Sequence, residues 1–154
     1  MRTHMDLTTD VPRSPYEKLG GINFLPRSID KGRADIAGTL GEYISRTGRT
    51  ERMLEFLGIS PEDFIDALRK RPTDDEVWSW VQEHMIPRTP AAIEYHNKEQ
   101  ATAEPKDGET WDWPKFREFL EEIGQGHRTD IRRHFDRLDL DEGREVPHGG
   151  RPDW

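Results

Sequence analysis

The stretch "LPRSIDKGRADIAGTLGEY", residues 25–43, gathers Arg27, Asp30, Lys31 and Arg33 on a predicted helix opening near Pro26. Arg27 and Lys31 fall one helical turn apart, and Asp30 stands three residues from both Arg27 and Arg33. Two cations side by side at a helix N-terminus, whose free amides and positive dipole end favour negative charge, make a chemical case for a phosphate or carboxylate site. Gly20 and Gly21, just upstream, would let backbone approach such a ligand closely. Arg27, Asp30, Lys31 and Arg33 are therefore the candidate ligand-binding residues, with Glu42 and Tyr43 further along the segment. The spacing is that of neither a P-loop nor a dinucleotide fingerprint, so it names no particular ligand.

The same residues carry a second, structural reading. Ile29, Arg33, Ile36 and Leu40 recur at steps of four, three and four, which places Arg33 on the apolar stripe of the helix. A guanidinium there needs a partner, because an uncompensated buried charge costs about 3–5 kcal/mol. The sequence offers Asp30 in the same helix, or Asp139, Asp141 and Glu142 from "LDLDEGR". Gly32, Gly38 and Gly41 then serve close helix packing and turning.

Other constellations are weaker. "DLDEG" at 139–143 opens like a calcium loop, but Gly143 stands where an oxygen ligand belongs and Arg144 where glycine belongs, so no metal site is expected. A helix-ending turn whose carboxylates accept arginine or backbone donors fits better. His127 and His134 share a face only if one helix holds both, and no paired ligand motif occurs. His134 reads as capping the edge of the core, and His96 as a solvated helix face or a titrating group beside Glu94 and Glu99. Ser28 and Ser45 have no positioned base, so catalytic residues remain unassigned and no cofactor is implied.

These residues sit in a chain of 154, enough for one domain, with 32% hydrophobic residues against 35% charged. Five Trp and six Phe must then supply much of the buried area. The absence of cysteine fits a reducing cytoplasm. The first residues contain no apolar run, and no stretch approaches the roughly 20 apolar residues of a bilayer span, so a cytoplasmic protein without a membrane partner is expected. Residues 11–58 hold eight basic and six acidic side chains, residues 59–154 fourteen and twenty-three. That acidic balance, with no basic stripe, argues against nucleic acid and leaves a small anionic ligand or a protein as the expected partner.

The periodicity is almost wholly helical. "ERMLEFLG" closes at Gly58, a C-cap; Ser60 with Pro61 and Asp63, Thr73 with Glu76, and Thr89 with Pro90 each mark a helix start. "WDWPKFREFLEEIG" lines one face with Trp113, Phe116, Phe119, Leu120 and Ile123, and Ile131, Phe135 and Leu138 mark a last helix. Trp78 and Trp80 cannot share a face, which turns one of them outward or into a groove, and Trp111 is the other candidate for exposed aromatic surface. The fold class is all-α, a single small irregular bundle of about six or seven short helices with no convincing strand. Its parts are an extended N-terminal arm at 1–20, held straight by Pro12 and Pro15, a helical domain at 21–142, and a flexible tail at 143–154 that docks through Val146 or Trp154.

"GGINFLPRSIDKGRADIAGTLGEY", "FLGISPEDFIDALRK" and "HFDRLDLDEGR", in that order, resemble a bacterial family described as domain of unknown function 5069, over about residues 5–145. The resemblance implies a small helical cytoplasmic domain and assigns no activity. The expected function is accordingly a non-catalytic cytoplasmic binding or protein-interaction module. Its rival is a small-molecule or anion-binding protein, or an enzyme, built on Arg27, Asp30, Lys31 and Arg33.

Overall fold

The computed structural model describes residues 5–154; the part of the predicted arm at residues 1–4 lies outside them. Over the described residues the chain forms seven helices: α1 (Leu25–Ala37), α2 (Arg49–Leu57), α3 (Pro61–Lys70), α4 (Asp74–His84), α5 (Pro90–Thr102), α6 (Trp113–Glu122) and α7 (His134–Asp141). This is the mostly helical architecture that the periodicity predicts.

The starts follow local chemistry. Ser60 Oγ accepts from the Asp63 amide at the head of α3, and Thr73 Oγ1 accepts from the Glu76 amide while its hydroxyl donates to the Glu76 carboxylate. Thr89 Oγ1 accepts from Ala92 N before α5. Asp112, not singled out by the sequence, does the same for Lys115 N before α6.

One expectation is corrected, for the described residues contain a short ladder. β1 (Lys18–Leu19) pairs antiparallel with β2 (Ile22–Asn23), Leu19 opposite Ile22. Gly20 and Gly21 turn between them with φ of 60° and 81°, the positive values that a tight type I′ hairpin needs at both central positions. Gly20 admits no ligand: a Cβ there would lie 2.2 Å from the Trp78 ring, so the missing side chain lets the hairpin sit on α4. Trp80 is engaged as well, stacked on His84 at 4.5 Å with the Arg71 guanidinium 5.8 Å from its ring. Both tryptophans are half-buried and pack against the same apolar core, so neither is turned fully outward.

Contacts cluster into two compact units, one running to His96 and one from Asn97, a division inside α5 that the sequence reading does not make. The core of the first joins Leu25 and Ile29 of α1, Met53, Leu54 and Leu57 of α2, Phe64, Ile65 and Leu68 of α3, and Val77 and Val81 of α4. Gly32 allows α1 and α3 to approach, since a Cβ would meet Leu68 Cδ1 at 2.4 Å. In the second unit Phe116 and Leu120 of α6 pack with Ile131, Leu140 of α7 and Val146. The terminal segment is bound there beyond Val146: Arg128 donates to the carbonyls of Val146 and Pro147, and Gly149 N donates to Asp130.

Candidate functional site

Helix α1 is where the sequence concentrates its chemistry, and its ends are set by backbone conformation. It opens at Phe24, which caps it at φ 69°, a left-handed value that an aromatic residue adopts at a strain of about 1 kcal/mol. It closes at Gly38, φ 72°, whose amide donates to the carbonyls of Ala34 and Asp35. The helix is therefore shorter than the stripe predicts: Leu40, Glu42 and Tyr43 lie beyond it, and Ile36 is 39% exposed.

From Leu25 to Ala34 every residue of α1 is buried, charged ones included. Arg27 is 1% exposed, Asp30 0%, Lys31 8% and Arg33 4%. A helix buried all round normally carries apolar residues throughout, so these four need polar company.

Arg27 and Asp30, three positions apart, take hold of one residue of the arm. Arg13 donates its backbone amide to Asp30 at 2.9 Å, and the Arg13 carbonyl accepts from Arg27 at 3.1 Å. The Arg13 guanidinium then reaches Asp30 through Nε and Nη2, both at 3.1 Å, and Asp74 at the start of α4 at 2.6 Å. It also donates to the Pro26 carbonyl. Burial alone would depress the Arg13 pKa; its hydrogen bonds to Asp74 and Asp30 outweigh that, and the guanidinium is held more firmly charged than usual.

Arg27 and Lys31 do project side by side, over an aromatic surface. The Arg27 guanidinium lies 5.8 Å from the ring centres of both Phe24 and Tyr43, and Lys31 Nζ lies 5.3 Å from Phe24. The left-handed turn at Phe24 brings its ring into contact with both cations.

Arg33 corrects the sequence reading of its partner. It donates to the carbonyls of Leu68 at 3.1 Å and Arg71 at 2.9 Å, capping the C-terminal end of α3. The Leu68 carbonyl also accepts from the Arg71 amide, so the guanidinium adds a second donor at a helix end whose carbonyls attract a cation. Burial lowers the Arg33 pKa, with Arg13 acting in the same direction and Asp74 and Asp30 against it. Among the carboxylates offered for it, Asp139 and Glu142 bind Arg144. The 139–144 segment is thus the expected arginine-bound end of α7, turning at Gly143 with φ 81°.

Arg13 and Asp74 are the residues that sequence reasoning missed. The predicted arm held an arginine and α1 an acid, yet the hydrogen bonds from Arg13 to Asp74 span 61 positions, beyond any local spacing rule. Of the histidines, only His96 departs from its sequence reading. His127 precedes α7, so it shares no helix with His134, and His134 is buried edge-to-face against Phe116 at 5.9 Å. His96 is half-buried, stacked on Phe56 at 4.0 Å with the rings within 6° of parallel, and Arg88 lies 4.7 Å over the same Phe56 ring. Burial and then the Arg88 charge bring the His96 pKa down to about 4, so it is neutral at pH 7.

Chemically, the α1 cluster is a set of mutually engaged charges that fix an arm, a helix end and a helix start. Among the described residues no group of three His, Asp or Glu side chains is placed to hold a metal ion. No helix among them is long and apolar enough to cross a membrane.

No curated protein matches the chain. The family model for the domain of unknown function DUF5069 matches residues 9–144, from the arm that carries Arg13 to the turn that carries Arg144. With that match covering nearly its whole length, the chain belongs to the DUF5069 family.

Proposed function

We propose that the protein is a non-catalytic binding or protein-interaction module of the bacterial cytoplasm. One observation carries the reading: Arg27, Asp30 and Arg33, at most 4% exposed, engage the chain's own backbone and side chains. The charge cluster of α1 therefore serves cohesion of the arm, α1, α3 and α4. A catalytic or anion-binding role would instead call for those groups to face an accessible cleft. The cysteine-free sequence supports the reducing compartment, and the family resemblance supports a bacterial setting.

A thermal-shift screen with phosphorylated metabolites and carboxylates tests the reading against its rival. Lys31→Met is the informative variant, because Lys31 is the most exposed of the four residues. The module reading expects no compound to raise the melting temperature of the wild type. A rise of several degrees that disappears in Lys31→Met would overturn it in favour of an anion site on α1.

A further inference from the structure

The second unit carries a groove of about 490 Å³ on α6 and the turn before it, lined among others by Trp111, Asp112, Lys115, Glu118, Phe119 and Glu122. We propose that this groove docks a basic, arginine-bearing peptide segment of another protein, a proposal that rests on the interaction-module reading above.

The argument begins with the aromatic floor. Trp111 and Phe119 meet edge to face, centroids 5.2 Å apart at 81°, and both are half-buried, so ring surface remains open to the groove. Trp111 already attracts cations of its own chain: the Arg137 guanidinium lies 3.9 Å from its centre and Lys115 Nζ 5.4 Å. A second guanidinium arriving from outside meets the same quadrupole.

The rim supplies charge of the right sign. Glu118 and Glu122 are exposed and one turn apart on α6, so their carboxylates project from one strip of the helix. Like charges at that spacing repel, and a bound cation relieves the repulsion. Asp112 is committed to the α6 cap through Lys115 N, which leaves the two glutamates as the acceptors for a ligand. A guanidinium suits both surfaces, since it stacks flat on an aromatic face and bridges carboxylates through paired N–H groups. The groove is open rather than enclosing, which fits a partner laid along it with several side chains better than a small molecule. Nucleic acid and a second copy of this acidic chain meet the wrong sign of charge.

Fluorescence anisotropy of a fluorescein-labelled hexa-arginine peptide, at about 150 mM salt so that long-range attraction is screened, tests the proposal. Saturable binding to the wild type is expected, weakened about tenfold in Glu118→Gln with Glu122→Gln. The matched pair Glu51→Gln with Glu55→Gln on α2 removes the same charge and should leave binding unchanged, while Lys115→Met, which removes the groove's own cation, should tighten it. Absence of saturable binding, or equal loss in both pairs, overturns the proposal. So does a wild-type dimer in light scattering that dissociates in the Glu118 and Glu122 variant, for then a second copy occupies the groove. Each of these failures leaves the module reading to its own anion screen.

Discussion

A single arm residue, Arg13, is gripped twice by α1: Asp30 accepts its amide and Arg27 donates to its carbonyl, while its side chain joins Asp30 to Asp74. Replacing Arg13 by Ala keeps the backbone grip but strips the guanidinium from a carboxylate with no exposure. The expected cost is about 3 kcal/mol in urea unfolding. Asp74→Asn, at a side chain 32% exposed, should cost about 1 kcal/mol. Arg33 makes a different prediction. Its stem is enclosed, but its head caps the Leu68 and Arg71 carbonyls, so Arg33→Met should still lose about 2 kcal/mol and Arg33→Ala more. A Met variant as stable as the wild type would show that the stem alone matters. Residue types announced that α1 had charges needing partners. Which partners they took depends on groups as far off as the Arg71 carbonyl, 38 positions from Arg33, and no spacing rule reaches that far.

At the scale of elements, legibility follows the range of the interaction. The caps at Ser60, Thr73 and Thr89 and the stop at Gly58 were readable because each is settled within four residues. The end of α1 was not. Gly38 breaks the helix although the apolar pattern runs on to Leu40, which packs with Met5, Leu7 and Tyr43 from outside it. The β1–β2 hairpin was also missed, being only two residues deep on each side and held by its fit against Trp78 rather than by strand periodicity. That fit makes Gly20→Ala a sharp test. The new methyl would enter the rigid Trp78 ring at a position with φ 60°, and a loss of about 2 kcal/mol or more is expected in thermal or chemical unfolding. An unchanged midpoint would mean that the hairpin moves freely off α4.

Across the whole molecule, acid should act on the two units at different pH. His96, in the first unit, titrates near 6.5 when unfolded but only at about 4 when folded. The unfolded state therefore binds the proton first, and stability present above pH 6.5 is lost as pH falls toward 4. Asp130, in the second unit, has its carboxyl held far below the usual 3.8 by the hydrogen bond from Arg128, helped by the Gly149 amide. Its contribution persists above pH 3.8 and disappears only below that. Amide exchange measured through a pH series should show protection around α2 and α5 up to His96 falling first, and His96→Phe should flatten that early loss. Loss around Asp130 at the higher pH would contradict the order.

The anchorage of the arm also has a consequence in time. Arg13 leaves the ribosome 61 residues before Asp74, so the fully seated clasp cannot form while that stretch is still being made. At about 5–20 residues per second the newborn arm waits for roughly 3–12 seconds, with half its receptor untranslated.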